Sequence, residues 1–374
     1  MSVNCINASN DLIMTPLETI VFTPEQIEGL TEAQKQELPT IIDVLEYISS
    51  LENANMRKNL KEPGMQEIYR EGKFVFLSDQ PWTNMAKLYP CSQSVFTLMR
   101  GESAFHNKCY PSLFRPKTGM SDDDHWLVSR LQACEFIAIM QQHPVVQALR
   151  QLCEVEYMAV AQHYGFPTEY MDITNQKWSA AFFACTEYKD GNYILVEPKD
   201  ETKIGVLYIG LADENRPLPS NLRALGFHYF ERPTRQNALV YEMKRDENFD
   251  ADPFFKRIIF RHDAEASKLV YKMSYNQLRY FPRDNWADIA EQIRRSDYPI
   301  SKAAIDVSRN YGVTQTEAEI QEVLSRNNIL YTPSEVPQAM PKTKQVDWEM
   351  RRWNEYTYPH LLRNVILPPP VCKL

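Results

Sequence analysis

Two short stretches gather residue types able to do chemistry. Gln162 to Gln176 reads Q-H-Y-G-F-P-T-E-Y-M-D-I-T-N-Q. Gly165 suits the left-handed residue that follows a helix, and Pro167 cannot continue one, so the stretch is a helix stop leading into a short strand. That account covers Gly165 and Pro167 and leaves His163, Tyr164, Thr168, Asp172 and Thr174 without a structural reason, which marks the joint as a candidate ligand site. His163 is either a ligand contact or a histidine at a favourable helix C-terminus. Tyr164, Phe166 and Tyr170 either stack on a ligand ring or pack in the core. The second stretch is M-R-G-E, Met99 to Glu102. An Arg that closes a strand can set its guanidinium fork on a diphosphate or carboxylate, and Gly101 after it permits close backbone approach. The same tetrapeptide also fits a surface Arg at a β-turn.

The elements that must position these residues follow from periodicity. K-F-V-F-L, V-F-T-L-M-R, Y-M-D-I-T, Y-I-L-V-E, G-V-L-Y-I-G-L, A-L-V-Y-E-M and R-I-I-F are apolar or alternating runs bounded by turn residues and read as strands. Helices are expected at Leu127 to His143, Ala148 to Tyr164 and Trp178 to Glu187, and again through D-A-E-A-S-K-L-V-Y-K-M and N-W-A-D-I-A-E-Q-I. Strands then following one another predict an α+β fold with a mainly antiparallel, mixed sheet. T-P-E-Q from Thr23 and T-E-A-Q from Thr31 have capping-box spacing, and Ile41 to Ile48 carry an amphipathic pattern, so residues 1–72 read as a helical N-terminal appendage. Residues 296–374 read as a helical C-terminal region. Within it Ser301 to Arg326 forms a helical hairpin turning at Gly312, Tyr331 to Lys344 a proline-rich linker, and L-P-P-P-V-C-K-L an extended tail. Glu317, Glu319 and Glu322 on the second helix of the hairpin would repel phosphates, which argues against a DNA reader.

With 374 residues, 44% apolar and 24% charged, the chain has the composition of a globular protein. It holds no apolar run of the ~20 residues that a membrane span needs and no signal-peptide pattern at its start, so a soluble cytoplasmic protein without a membrane partner is expected. Seven scattered cysteines without C-x-x-C point away from a disulfide framework and from a zinc site, with Cys134, Cys153 and Cys185 as inert core residues. A net charge of −8 disfavours non-specific nucleic-acid binding by the chain as a whole. P-loop, Rossmann, zincin and α/β-hydrolase motifs are absent.

M-R-G-E, Y-P-S-L-F-R at Tyr110 to Arg115, Q-H-Y-G-F-P-T-E-Y-M-D-I-T and S-A-A-F-F-A together resemble the FRG domain. R-P-T-R-Q-N-A-L-V resembles that family's Arg-x-x-x-Gln strand, and Y-F-P-R-D-N-W-A-D-I-A its closing helix, so the resemblance spans residues 73–295. Met99 stands where the family has Phe, Glu169 where it has Arg, and Ile173 where it has Trp. The order of elements is similar to the ADP-ribosyltransferase fold, which implies a nucleotide ligand and NAD as substrate, while the FRG resemblance implies an effector role in bacterial anti-phage defence or toxin action. Carried over, Arg100 takes the pyrophosphate or the nicotinamide ribose and Thr174 bonds near the nicotinamide end. Gln236 or Glu242 stands at the ribose, and Glu242 or Asp172 serves as base, since Gln cannot. Gly101, His163, Tyr164 and Asp172 complete the binding set. The resemblance implies an ADP-ribosyltransferase or NAD glycohydrolase with a protein or nucleic-acid acceptor, or else a non-catalytic module that senses a nucleotide, nucleic acid or protein. A scaffold whose terminal helices recruit a partner is a third reading.

Overall fold

A computed structural model describes residues 22–59, 74–77, 87–90, 97–151, 154–189, 191–196, 203–211, 219–225, 229–295, 297–359 and 365–366. Its centre is a six-stranded sheet of Thr97–Glu102 (β1), Tyr170–Thr174 (β2), Ile204–Leu211 (β3), Leu222–Ala224 (β4), Ala238–Glu242 (β5) and Phe255–Arg261 (β6), in the order β6-β3-β1-β2-β5-β4. Every pairing within it is antiparallel. The expected mixed character is therefore confined to small sheets, where Ile300–Ser301 pairs with Tyr331–Thr332 and Phe74–Leu77 with Val365–Ile366 in parallel. All seven predicted strands form.

Period-two alternation sorts the side chains. Met171, Ile173, Leu239, Tyr241, Val206, Tyr208 and Ile259 face one apolar cluster, which also takes in Ile27, Leu38, Cys109 and Phe249. The opposite face is covered by two separate helical layers. Helices Ile41–Asn59 (α1), Lys177–Cys185 (α3) and Ala264–Met273 (α5) cover the half with β1, β3 and β6. Asp122–Gln142 (α2) centres a larger cluster with Tyr170 and Val240 of the other half, joined by Trp286, Ile289 and Ile293 of Asn285–Ile293 and by Ala304, Ile320, Leu324 and Trp353 from the C-terminal region. Each large apolar side chain buried in these layers stabilises the fold by about 1.5–3 kcal/mol.

The C-terminal helices are built into the core. Glu135 on α2 is buried and accepts from Ser301 N at 2.9 Å, Ser301 Oγ at 2.6 Å and Tyr298 Oη at 3.0 Å, while Arg326 is ion-paired with Asp124. The hairpin turns at Gly312, φ 84°, and its second helix, Glu317–Arg326, opens with the Thr316 capping box. Thr23 and Thr31 form the expected boxes as well. One helix differs: Ala148 to Tyr164 is not continuous but falls into Pro144–Arg150 and Tyr157–His163 (α4). Pro144 sits at the first helical position, where its missing N–H costs nothing, and this sets the first break from α2. Cys153 and the tail 367–374 lie outside the described residues, as do 1–21 and 60–73 of the N-terminal region. No helix among the described residues is long and apolar enough to cross a membrane.

Candidate functional site

The sheet is split at its middle. β1 and β2 share one registered pair, Met99 with Thr174, whereas β1 pairs with β3 at six positions and β2 with β5 at five. Past that pair the strands part and leave backbone groups of β2 without a strand partner. Arg100 bridges the opening: its Nη1 donates to Asp172 O at 2.8 Å, and its Nε donates to Glu102 Oε1 at 2.9 Å, with Nη2 on the same oxygen. Burial alone would lower the guanidinium pKa, but the carboxylates of Glu102 and Asp172, with the hydrogen bond to Glu102, hold it above its ordinary value. Arg100 is thus a strut across the split as much as a ligand group. Gly101 next to it is required by packing: a Cβ would lie 1.9 Å from Ala180 O and 2.7 Å from Ala184 N of α3. The close approach it permits is that of the protein's own helix.

A cavity of about 460 Å³ lies at this split. Arg100, Gly101, His163, Asp172, Thr174 and Gln236 all line it, so six of the expected residues converge. Gln236 Nε2 donates to Tyr280 O at 3.0 Å, so its Oε1 faces His163 and accepts from Nδ1–H at 2.8 Å. In the neutral ring this leaves the Nε2 lone pair directed 3.7 Å from Asp172 Oδ1. Neither of those two buried atoms has a hydrogen-bond partner. Thr174 Oγ1 donates to Gln236 O at 2.7 Å and accepts from Gln176 N at 3.0 Å, so its proton is committed to holding the joint together.

The far wall is aromatic. Phe183 of α3 and Tyr188 and Tyr193 of the hairpin Thr186–Lys189/Asn192–Leu195 line the cavity. Tyr193 stacks on Phe281 with ring centroids 4.4 Å apart. The hairpin is clamped by Gln277, whose Oε1 accepts from Tyr193 N at 2.8 Å. Gln277 ends a run of three non-glycine residues, Tyr275, Asn276 and Gln277, at φ 50°, 51° and 74°. Each left-handed residue costs about 1–2 kcal/mol, and such strain persists only where surrounding contacts enforce it. The same turn leads to Tyr280, whose carbonyl orients Gln236.

Two expected residues stand elsewhere. Gln236 ends the helix Glu231–Gln236, and Asn237 in the left-handed conformation separates it from β5, so the strand expected at the Arg-x-x-x-Gln segment begins only at Ala238. Glu242 sits at the opposite end of β5, roughly 13 Å along the strand. There it pairs with Arg223 at 2.7 Å and does not line the cavity. Tyr164 is a core residue: fully buried, it donates its hydroxyl to Asp284 Oδ2 at 2.6 Å. Glu169 is paired with buried Arg130, Oε2 to Nη2 at 3.0 Å, and the charge reversal is thereby absorbed away from the cavity. Residues not singled out from the sequence also line the site, chiefly Arg115, His106, Ser179 and Tyr193. Arg115 ends Y-P-S-L-F-R and was in view; Tyr193 lies in a strand whose neighbour, Thr186–Lys189, has no strong strand pattern.

The chain thus belongs to the class of α+β proteins in which a split antiparallel sheet opens onto a polar cleft. More particularly, it carries a segment that matches the family model for the FRG domain, residues 96–192, which hold β1, β2, α3 and the first strand of the aromatic hairpin. No curated protein and no solved structure matches the chain.

Proposed function

We propose that the cleft binds NAD and cleaves its nicotinamide–ribose bond, on a fold like that of the ADP-ribosyltransferases, with water or an acceptor group receiving the ADP-ribose. The observation that carries this reading is the pair of unpartnered buried atoms, His163 Nε2 and Asp172 Oδ1, 3.7 Å apart on one wall of a cavity whose other wall is aromatic. When the bond breaks, nicotinamide leaves with its electron pair and positive charge develops at the anomeric carbon and ring oxygen. A carboxylate fixed beside it stabilises that charge. Asp172 takes this part, since Glu242 is remote. The attacking oxygen forms its bond to the anomeric carbon and gives its proton to His163 Nε2, while Gln236, which fixes the tautomer, acts as a positioning residue. Phe183, Tyr188 and Tyr193 offer a stacking surface for nicotinamide. Consumption or transfer of NAD suits an effector acting in defence or as a toxin.

Nicotinamide release from NAD tests the reading. Turnover that falls about 10²–10³-fold in Asp172→Asn supports it; no release together with no NAD-dependent thermal shift ends it. One observation favours the non-catalytic alternative, a sensing module: Glu102 neutralises Arg100 inside the cleft. Recovery of bound NAD intact after long incubation would select that alternative.

A further inference from the structure

The cleft contains two arginines, and their situations differ. Arg100 is half-buried, bridges the split sheet and is neutralised by Glu102. Its fork is already engaged, so a phosphate arriving there would compete with a carboxylate in place. Arg115 lines the same cavity from the exposed rim. Its Nε and Nη2 each reach Tyr110 O at 3.3 Å, long contacts that fix the plane of the guanidinium and leave Nη1 uncommitted among the described residues. The other lining charges are balanced: Glu102 by Arg100, Glu187 by Lys203 at 2.8 Å, and Asp172 faces His163. Among the described residues no carboxylate lies within ion-pair distance of Arg115. His106 stands on the same rim.

We propose that Arg115, and not Arg100, is the specificity-determining anion anchor of the cleft, and that it takes the pyrophosphate of a nucleotide whose sugar lies toward Asp172 and His163. A planar fork held by two contacts to one carbonyl keeps its outer edge free for bidentate recognition of phosphate oxygens. Placing the anion at the rim also leaves it hydrated on one side, which avoids the cost of burying a diphosphate. The inference rests on the nucleotide reading of the cleft, and it concerns which cation selects the ligand.

Isothermal titration of the full chain with ADP-ribose, which carries the pyrophosphate, and with nicotinamide riboside, which does not, tests it in wild type, Arg115→Ala and Arg115→Lys. Arg115 is exposed, so a matching Tm is expected for all three chains. The expected result is a Kd for ADP-ribose raised about tenfold to a hundredfold in Arg115→Ala, with partial recovery in Arg115→Lys and no change for nicotinamide riboside. The salt dependence of ADP-ribose binding should flatten in Arg115→Ala. Equal affinity of wild type and Arg115→Ala for ADP-ribose, an equal loss for both ligands, or no binding of ADP-ribose by wild type would each overturn the proposal. Arg115-dependent binding without nicotinamide release from NAD would leave the anchor standing and remove the cleavage reading. Release that ignores Arg115 would do the reverse.

Discussion

Replacing Gln236 by Leu removes the amide that links His163 on the cleft wall to the backbone at Tyr280. Gln236 is 3% exposed, and both ends of its side chain are in use: Nε2 donates to Tyr280 O at 3.0 Å and Oε1 accepts from His163 Nδ1 at 2.8 Å. Leucine fills a similar volume, so the loss is polar. It strands the Tyr280 carbonyl and one imidazole N–H in a buried environment, at about 1–3 kcal/mol each. The added apolar burial of leucine offsets part of this, and a net loss of about 2–4 kcal/mol is expected, read as a lower midpoint in urea at unchanged slope. The local consequence is sharper. With its acceptor gone, the His163 ring is no longer held as the Nδ1–H tautomer, and nitrogen-15 NMR of the imidazole should show the second tautomer gaining population. Full stability together with an unchanged tautomer would refute the assignment of Gln236 as the residue that orients His163.

Gly101→Ala should cost about 1–3 kcal/mol, toward the upper end, because the new Cβ meets backbone atoms of α3 that no rotamer change can move; thermal denaturation measures it. Tyr275→Gly should raise stability by about 0.5–1 kcal/mol, since it relieves a left-handed residue whose ring is 71% exposed, less the entropy glycine adds to the unfolded chain. Asp124 is held down at about 2, from an ordinary 3.8, chiefly by its hydrogen bond from Arg326. Its folded pKa lies below its unfolded one, so the stability it contributes is present above about pH 4 and is lost as pH falls toward 2. Asp124→Asn should flatten that part of an acid unfolding curve, and an unchanged acid limb would contradict the pairing.

Much of the architecture was legible because local rules and tertiary packing agree. The strand runs, the three capping boxes and the left-handed Gly165, φ 87°, follow from neighbouring residues alone. The convergence of His163, Asp172 and Thr174 on one cavity was legible because polar residues crowd one joint, although Thr174 turns out to hold that joint together. What could not be read is what depends on distant partners. Tyr164 looked available for a ligand, yet Asp284 claims its hydroxyl from 120 residues away. Glu169 stands where the FRG family has Arg, and nothing local shows that Arg130 pairs with it across the core. Glu242 stands apart from Gln236 because Gln236 belongs to a helix, and Asn237, a residue type that tolerates the left-handed conformation, turns the chain into the strand that ends at Glu242. The splitting of the sheet has no local mark at all, because it arises where two helical layers cover its halves separately.

The central claim is that the chemistry belongs to Asp172 at the split and not to Glu242 at the far end of β5. Nicotinamide release from NAD, measured side by side for Asp172→Asn and Glu242→Gln, tests it most directly. Loss of release in Asp172→Asn with wild-type release in Glu242→Gln is the predicted result. Release retained in Asp172→Asn and lost in Glu242→Gln would contradict it.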